Sequence, residues 1–232
     1  MAISRGPRLV NTGLILAYDA GDINSYIGSG TTWTDISRNG NNGTLTNSPT
    51  FSSTNIGNIV FNGSNQYVAI ANSSSLQVAD TFTVCAWIKA TNLSARYGVF
   101  STRTNNTTGC WQFEVGTGSG GTNRILVTGI NTFICESNNN VIAANSWYYI
   151  SFVKVSNSIN GGTLYVNGAA VSNVGTAAYT IINNADEKRV AIGTGSAQYF
   201  PGSIAQVHLY NTTLSASQIL QNYNATKARF GL

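Results

Sequence analysis

GSIAQVHLYNTTLSASQILQNYNA, Gly202 to Ala225, decides how the rest of the chain is read. Its first half has strand character. Ile204 and His208 to Tyr210 fall in a β-branched and aromatic run, bounded by Pro201-Gly202 on one side and Asn211 on the other. Its second half is the one good helix signal in the chain. Ser215 is a capping residue and Gln218 follows three positions later, which makes a capping box. Leu214 before the cap and Ile219 after it form a hydrophobic staple. Ile219, Leu220 and Tyr223 then give one apolar face, about two turns long. A helix this short does not hold in water alone. It must lie on a larger body, and almost everything else in the chain reads as β.

Composition agrees with that body. The 232 residues suffice for one large β domain or two small ones. Hydrophobic residues make up 42%, but charged residues only 9%, far below the usual quarter. Four Trp, eleven Tyr and nine Phe must be buried, so the chain is not of a disordered kind. No stretch approaches ~18 unbroken apolar residues, and no membrane span is expected. MAISRGPRLVNTG has neither an apolar core nor a cleavage site, so no signal peptide is expected. The eight Asn-x-Ser/Thr matches are then read as a consequence of an Asn- and Thr-rich chain.

Cys85, Cys110 and Cys135, with the single His208, form neither a disulfide framework nor a zinc site. Cys85 reads as a small core residue, and whether Cys110 and Cys135 pair stays open. The net charge of +4 sits on the two ends, on Arg5 and Arg8 and on Lys227 and Arg229, leaving the body formally neutral. With no basic patch in that body, no nucleic-acid partner is expected. The four terminal cations are either solvated or docked on an acidic neighbour.

Residues 1–12 read as an arm, because Pro7 interrupts pairing and the apolar pattern starts at Leu14. Residues 13–226 read as one domain and 227–232 as a tail. Within the domain GLILAYDA is a first strand, followed by Asn-Gly turns at Asn39-Gly40 and Asn42-Gly43. Ile59 to Phe61 and Tyr67 to Ile70 read as a hairpin around Asn62-Gly63. TFTVCAWIKA is the clearest strand. Cys85 and Trp87 on its second face imply cover on both sides or a place in a concave surface. WYYISFVKV pairs with GTLYVNGAAV. GTGSGGT, from Gly116, is read as a hairpin loop, since no lysine and no helix follow it. About twelve to fourteen short strands and one terminal helix make an all-β sandwich.

Taken in order, NGNNGTLTNSPT, VFNGSNQYVAI, FTVCAWIKA, NSWYYISFVKV, GTLYVNGAAV and GSIAQVHLYNTTLSASQILQNYN resemble the concanavalin A-like lectin/glucanase superfamily, in its laminin G-like, pentraxin-like branch. The resemblance covers nearly all of residues 13–225. It implies an antiparallel jelly roll of one concave and one convex sheet. More narrowly, LAYDAGDINSYIGSGTTWTDISRNGNNGTL and NYNATKARFGL are similar to lectin-like domains in structural proteins of tailed phages.

The resemblance also frames the candidate sites. Glucanase relatives use two glutamates in a Glu-x-Asp-x-Glu run, on one face of a strand. Here the acids are Asp19, Asp22, Asp35, Asp80, Glu114, Glu136, Asp186 and Glu187, and none are spaced by two. A pair would have to come from distant strands, such as Glu114 with Glu136. Many relatives hold calcium beside an acid that follows the Gly-x-Ile of the last strand, where this chain has Ala205 and Gln206. Asp19, Asp22 and Asn24 remain as candidate ligands for a structural calcium. A sugar site needs an aromatic platform with amides or hydroxyls beside it. Trp87, Tyr97, Trp111 and Tyr199, with Asn105, Asn106 and Gln112, are the candidates.

The leading expectation is therefore a non-enzymatic virion structural or decoration protein. It would be located in the virion and docked to other virion proteins through Arg5, Arg8, Lys227 and Arg229, with cell-surface glycans as further partners. A symmetric homo-oligomer would suit such a part. The alternatives are a carbohydrate-binding module of a secreted or surface protein and a glycoside hydrolase. No cofactor other than calcium is implied.

Overall fold

The computed structural model describes residues 7–102, 109–175, 178–183, 185–193 and 198–232. The first strands are β1 Leu14–Asp19, β2 Thr32–Trp33, β3 Gly43–Thr46, β4 Thr50–Ser52, β5 Asn58–Asn62 and β6 Tyr67–Ile70. Then come β7 Phe82–Ala90, β8 Tyr97–Ser101, β9 Gln112–Gly118, β10 Gly121–Gly129 and β11 Thr132–Ser137. The last are β12 Tyr148–Lys154, β13 Gly162–Val166, β14 Ala169–Ala170, β15 Asn173–Val174, β16 Lys188–Val190 and β17 Pro201–Tyr210. The helix α1, Ala216–Thr226, follows. The count exceeds the sequence expectation because β2, β14 and β15 are two residues long. No alternation can register over two residues.

The strands form two antiparallel sheets, the expected sandwich. One has the order β14-β13-β12-β7-β17-β5-β4, with β1 on the far half of β17. The other has the order β15-β11-β10-β9-β8-β16-β6-β3-β2. The core between them holds Trp33, Phe82, Phe100, Trp111, Phe113 and Phe152, all at most 1% exposed.

β5 and β6 belong to different sheets, so the Asn62-Gly63 turn is a corner and not a hairpin. Asn62 Oδ1 accepts the N–H groups of Ser64 and Asn65, and Gly63 has φ +72°. That local chemistry serves a corner as well as a hairpin, because alternation fixes faces and not partners. β12 and β13 do pair, and the Asn167-Gly168 turn, at φ +51° and +81°, folds β14 back onto β13. β9 and β10 meet at Gly118 and Gly121, so the glycine loop is a hairpin loop.

The cap of α1 forms as the sequence predicts. Ser215 Oγ accepts from Gln218 N at 3.3 Å, and Ser215 N donates to Gln218 Oε1 at 2.9 Å. Leu214 and Ile219 are both buried. The inward face differs from the expected one: Leu220 is 45% exposed and Asn222 is fully buried. Asn222 is tolerated there because its amide is satisfied, by Val10 N at 2.8 Å and by Tyr210 Oη at 3.0 Å.

The helix lies on the outer face of the first sheet, over Cys85, Tyr149, Ala205 and Tyr210. The strand β7 is thus covered on both sides, as Cys85 and Trp87 imply. The 3-10 turn Lys227–Phe230 continues over the same surface and sets Phe230 on Trp87, with ring centroids 4.0 Å apart. The segments read as arm and tail are therefore, where described, packed on the domain: Val10 and Phe230 are each 8% exposed.

Candidate functional site

The outer face of the second sheet carries the chain's concentration of polar strand residues. Antiparallel register puts Ser101, Gln112 and Thr128 in one row across β8, β9 and β10. The next row is Gly98, Glu114, Leu126 and Glu136, from β8 to β11. Core residues Phe113, Val115, Ile125 and Val127 alternate with these, so both rows point away from the core. Gly98 is glycine for space, since a Cβ there would collide with the backbone of Gly193.

At one end of these rows lies a pocket of about 510 Å³, lined by Arg96, Thr128, Gly129, Asn131, Thr132, Phe133 and Gln198. A β-bulge builds it. The register shifts between Val127 and Thr128, which sets Phe133 opposite Thr128 in the polar row. The Arg96 guanidinium lies over the Phe133 ring, with Cζ 5.5 Å from its centroid. Gln198 is held by its carbonyl, which accepts from Gly98 N at 3.0 Å and from Gly193 N at 3.1 Å. Thr128 Oγ1 donates to Glu114 Oε2 at 2.6 Å, so the lone pairs of Thr128 are what the hydroxyl can offer elsewhere. The side-chain oxygens of Gln112 and Gln198 are buried and have no donor. The pocket thus combines a ring, a guanidinium, and amide and hydroxyl groups, a set suited to a polyhydroxylated ligand.

Of the expected sugar-site residues, Gln112 lies beneath this pocket, with its amide nitrogen 3.5 Å from Thr128 Oγ1. The proposed platform is corrected. Trp87 is fully buried under Phe230 and donates Nε1–H to Thr226 Oγ1 at 2.8 Å. Trp111 is 1% exposed and stacks on Phe82 and Phe100 in the core. Tyr97 is a core residue too. Large rings in strands gain more by full burial than by display. Tyr199 is half-buried beside Tyr67. Asn105 and Asn106 lie outside the described residues, as does Arg5. Sequence reading missed Arg96, Thr128, Asn131, Phe133 and Gln198. The Gly129–Thr132 turn was the available signal for the β10–β11 end of the pocket.

The candidate calcium ligands do not fit a metal. Both carboxylate oxygens of Asp19 lie 2.8 Å from Arg229 Nη1. Oδ1 also accepts from Gly21 N at 2.8 Å, and Oδ2 from Gln206 Nε2 at 2.6 Å. The guanidinium reaches the carbonyls of Gly57 and Asn55 as well, at 3.3 and 3.4 Å. An arginine side chain is the cation in this ring of oxygens. Asp22 Oδ1 accepts from the backbone and side chain of Asn24, which is turn chemistry. Among the described residues no three His, Cys, Asp or Glu side chains gather as a metal group. His208, 1% exposed, lies near the Asp19–Arg229 pair, and burial pushes its imidazole down to about 4.

The terminal cations divide accordingly. Arg229 is spent on Asp19, Lys227 lies over the Tyr223 ring at 5.2 Å, and Arg8 is exposed while its carbonyl accepts from Gln221. All three cysteines are free thiols, so Cys110 and Cys135 do not pair.

Glu114 and Glu136 share a face, two strand spacings or about 10 Å apart along their row. Leu126 stands between them, fully buried. Glu136 is held by Arg124 Nη1 at 2.9 Å, by Ser119 N at 3.0 Å and by the Ser119 hydroxyl. Glu114 itself is fully buried and Glu136 is 5% exposed. Among the described residues no helix is long and apolar enough to cross a membrane.

A laminin G-type family model, described as the concanavalin A-like lectin/glucanases superfamily, matches residues 62–220. No curated protein sequence matches the chain. Among solved structures, domain 4 of AbnA, a GH43 extracellular arabinanase from Geobacillus stearothermophilus, was determined in complex with arabinotriose. It aligns with a TM-score of 0.68 at 16% identity, over 90% of this chain and 98% of that one. The binding domain of Paraclostridial Mosquitocidal Protein 1 aligns with a TM-score of 0.69 at 14% identity, over 92% of this chain and 52% of that one. The Botulinum neurotoxin type G receptor binding domain gives 0.61 at 18%, over 91% and 51%. The chain thus spans nearly all of the first and about half of the other two. At these identities the structures speak for the fold alone. The family match spans well over half of the chain, which therefore belongs to the concanavalin A-like lectin/glucanase superfamily.

Proposed function

We propose that this chain is a non-catalytic carbohydrate-binding module whose sugar site is the Arg96–Phe133–Gln198 pocket. The observation that carries the reading is the bulge at Val127/Thr128, which turns an aromatic ring into a row of hydroxyl and amide groups. The arabinotriose complex of the AbnA domain supports it by likeness of fold. Engagement of Glu136 by Arg124 and Ser119 speaks for a domain that binds without cleaving. A glycan array followed by calorimetry tests this. Specific binding should weaken about tenfold or more in Phe133→Ala. Binding unchanged in that variant, or hydrolysis of the bound glycan, would sink the reading.

We further infer that the module is a structural part of a virion, docked to neighbouring virion proteins near its termini. The resemblance of its opening and ending segments to tailed-phage proteins motivates this. One structural feature favours it: residues 8–10 run along α1, so Arg8 and Lys227 both lie at that helix. Deleting residues 1–8 keeps Val10 in place. It should abolish incorporation into particles while leaving the unfolding temperature unchanged, and retained incorporation would count against docking by the arm.

A further inference from the structure

We propose that the pocket selects a sugar bearing a carboxylate, and that Arg96 is the residue that reads it. The inference rests on the glycan reading and goes a step beyond it. Arg96 is the cation lining the pocket. The ion pairs among the described residues engage Arg124, Lys154, Arg189 and Arg229, and leave Arg96 without a carboxylate. It is half-buried, and its described contact is the ring of Phe133, 5.5 Å from Cζ to the centroid, a contact that needs none of its N–H groups. A guanidinium that lies over a ring and meets no carboxylate is set up for one, whose two oxygens match its fork.

The rest of the lining supports the choice. Thr128, Asn131, Thr132 and Gln198 are neutral. Glu136 is neutralised by Arg124. Glu114 lies behind Thr128, accepts a hydrogen bond from its hydroxyl and is fully buried. The donorless oxygens of Gln112 and Gln198 sit together against Gly193, so this side of the site is rich in acceptors. A ligand that fits must bring hydroxyl donors to the amides and Thr128, and an anion to Arg96. A neutral sugar leaves the guanidinium unmatched, and a simple carboxylate leaves the acceptors unmatched. A carboxylated sugar meets both.

The test uses the full chain and matched probes: sialyllactose against lactose, and oligogalacturonides against neutral galacto-oligosaccharides, titrated by calorimetry at physiological salt. One acidic probe should bind at least about tenfold tighter than its neutral partner, as expected for a charge-assisted hydrogen bond. Arg96→Gln should erase the difference while the unfolding temperature stays as in the wild type, and Arg96→Lys should restore part of it. If neutral and acidic probes bind alike and Arg96→Gln changes nothing, the carboxylate assignment falls and the glycan reading stands. If sulfated sugars bind and carboxylated ones do not, the carboxylate assignment falls as well. If no sugar of either class binds, both readings fall.

Discussion

Replacing Arg229 by methionine keeps much of the side chain's stem and removes the guanidinium. The variant strips Asp19 of two 2.8 Å contacts and leaves the carbonyls of Asn55 and Gly57 without their donor. Asp19 keeps Gln206 and Gly21. The pair is 13% and 18% exposed, so water screens it little. Breaking a fully buried pair costs about 3–5 kcal/mol and an exposed one about 0–1, which places Arg229→Met near 2–4 kcal/mol. For a chain of this size that is a fall of roughly 4–8 °C in unfolding temperature. Thermal and urea unfolding of Arg229→Met, Asp19→Asn and the double variant measure it, with an expected coupling of at least about 1 kcal/mol. A loss below about 0.5 kcal/mol, or additive single effects, would refute the argument. The same reasoning predicts that millimolar calcium or a chelator leaves the wild-type unfolding temperature unchanged, because the guanidinium holds the oxygens. A rise with calcium would contradict it.

Other expectations follow from the burial of single groups. His208 titrates near 4 when folded and near its ordinary value of about 6.5 when unfolded, so the unfolded chain binds the extra proton between those values. Stability from this group is complete above about pH 6.5 and declines as pH falls toward 4, by about 3 kcal/mol in all. Urea unfolding at pH 7.5, 5.5 and 4.5 should show that slope and show it flattened in His208→Gln; equal slopes would end the argument. Phe230→Ala should cost about 3 kcal/mol and red-shift tryptophan fluorescence as Trp87 loses its cover. A stable variant with unshifted emission would place the C-terminal turn outside the core. Burial raises the Cys85 thiol to about 11 and the Cys135 thiol to about 12. A thiol reagent should label neither in the native protein and all three cysteines in denaturant, and a denatured count below three would contradict the free-thiol state.

Local chemistry was legible where residues close in sequence satisfy one another. The capping box needs only Ser215 and Gln218, and the Asn167-Gly168 turn needs only its own dihedral angles. Period-two alternation determined that the chain is a sandwich, and Cys85 and Trp87 on the second face of TFTVCAWIKA narrowed β7 to cover on both sides or a place in a concave surface. Alternation does not choose partners, so the turn at Asn62-Gly63 could be taken for a hairpin when it joins two sheets. Nor does it survive a bulge: one shifted register puts Phe133 in the polar row and makes the pocket, whereas Trp87 and Trp111, the more conspicuous rings, fill interiors. The ends were the least legible part, because Val10 meets Asn222 and Asp19 meets Arg229 across more than two hundred residues. By itself, then, the sequence determined the class of fold, its turns and its helix cap, which depend on neighbours along the chain. Which rings are displayed, which cation sits among the Asp19 oxygens and where a ligand can enter were decided only in the tertiary structure, because each depends on strands brought together from distant parts of the chain.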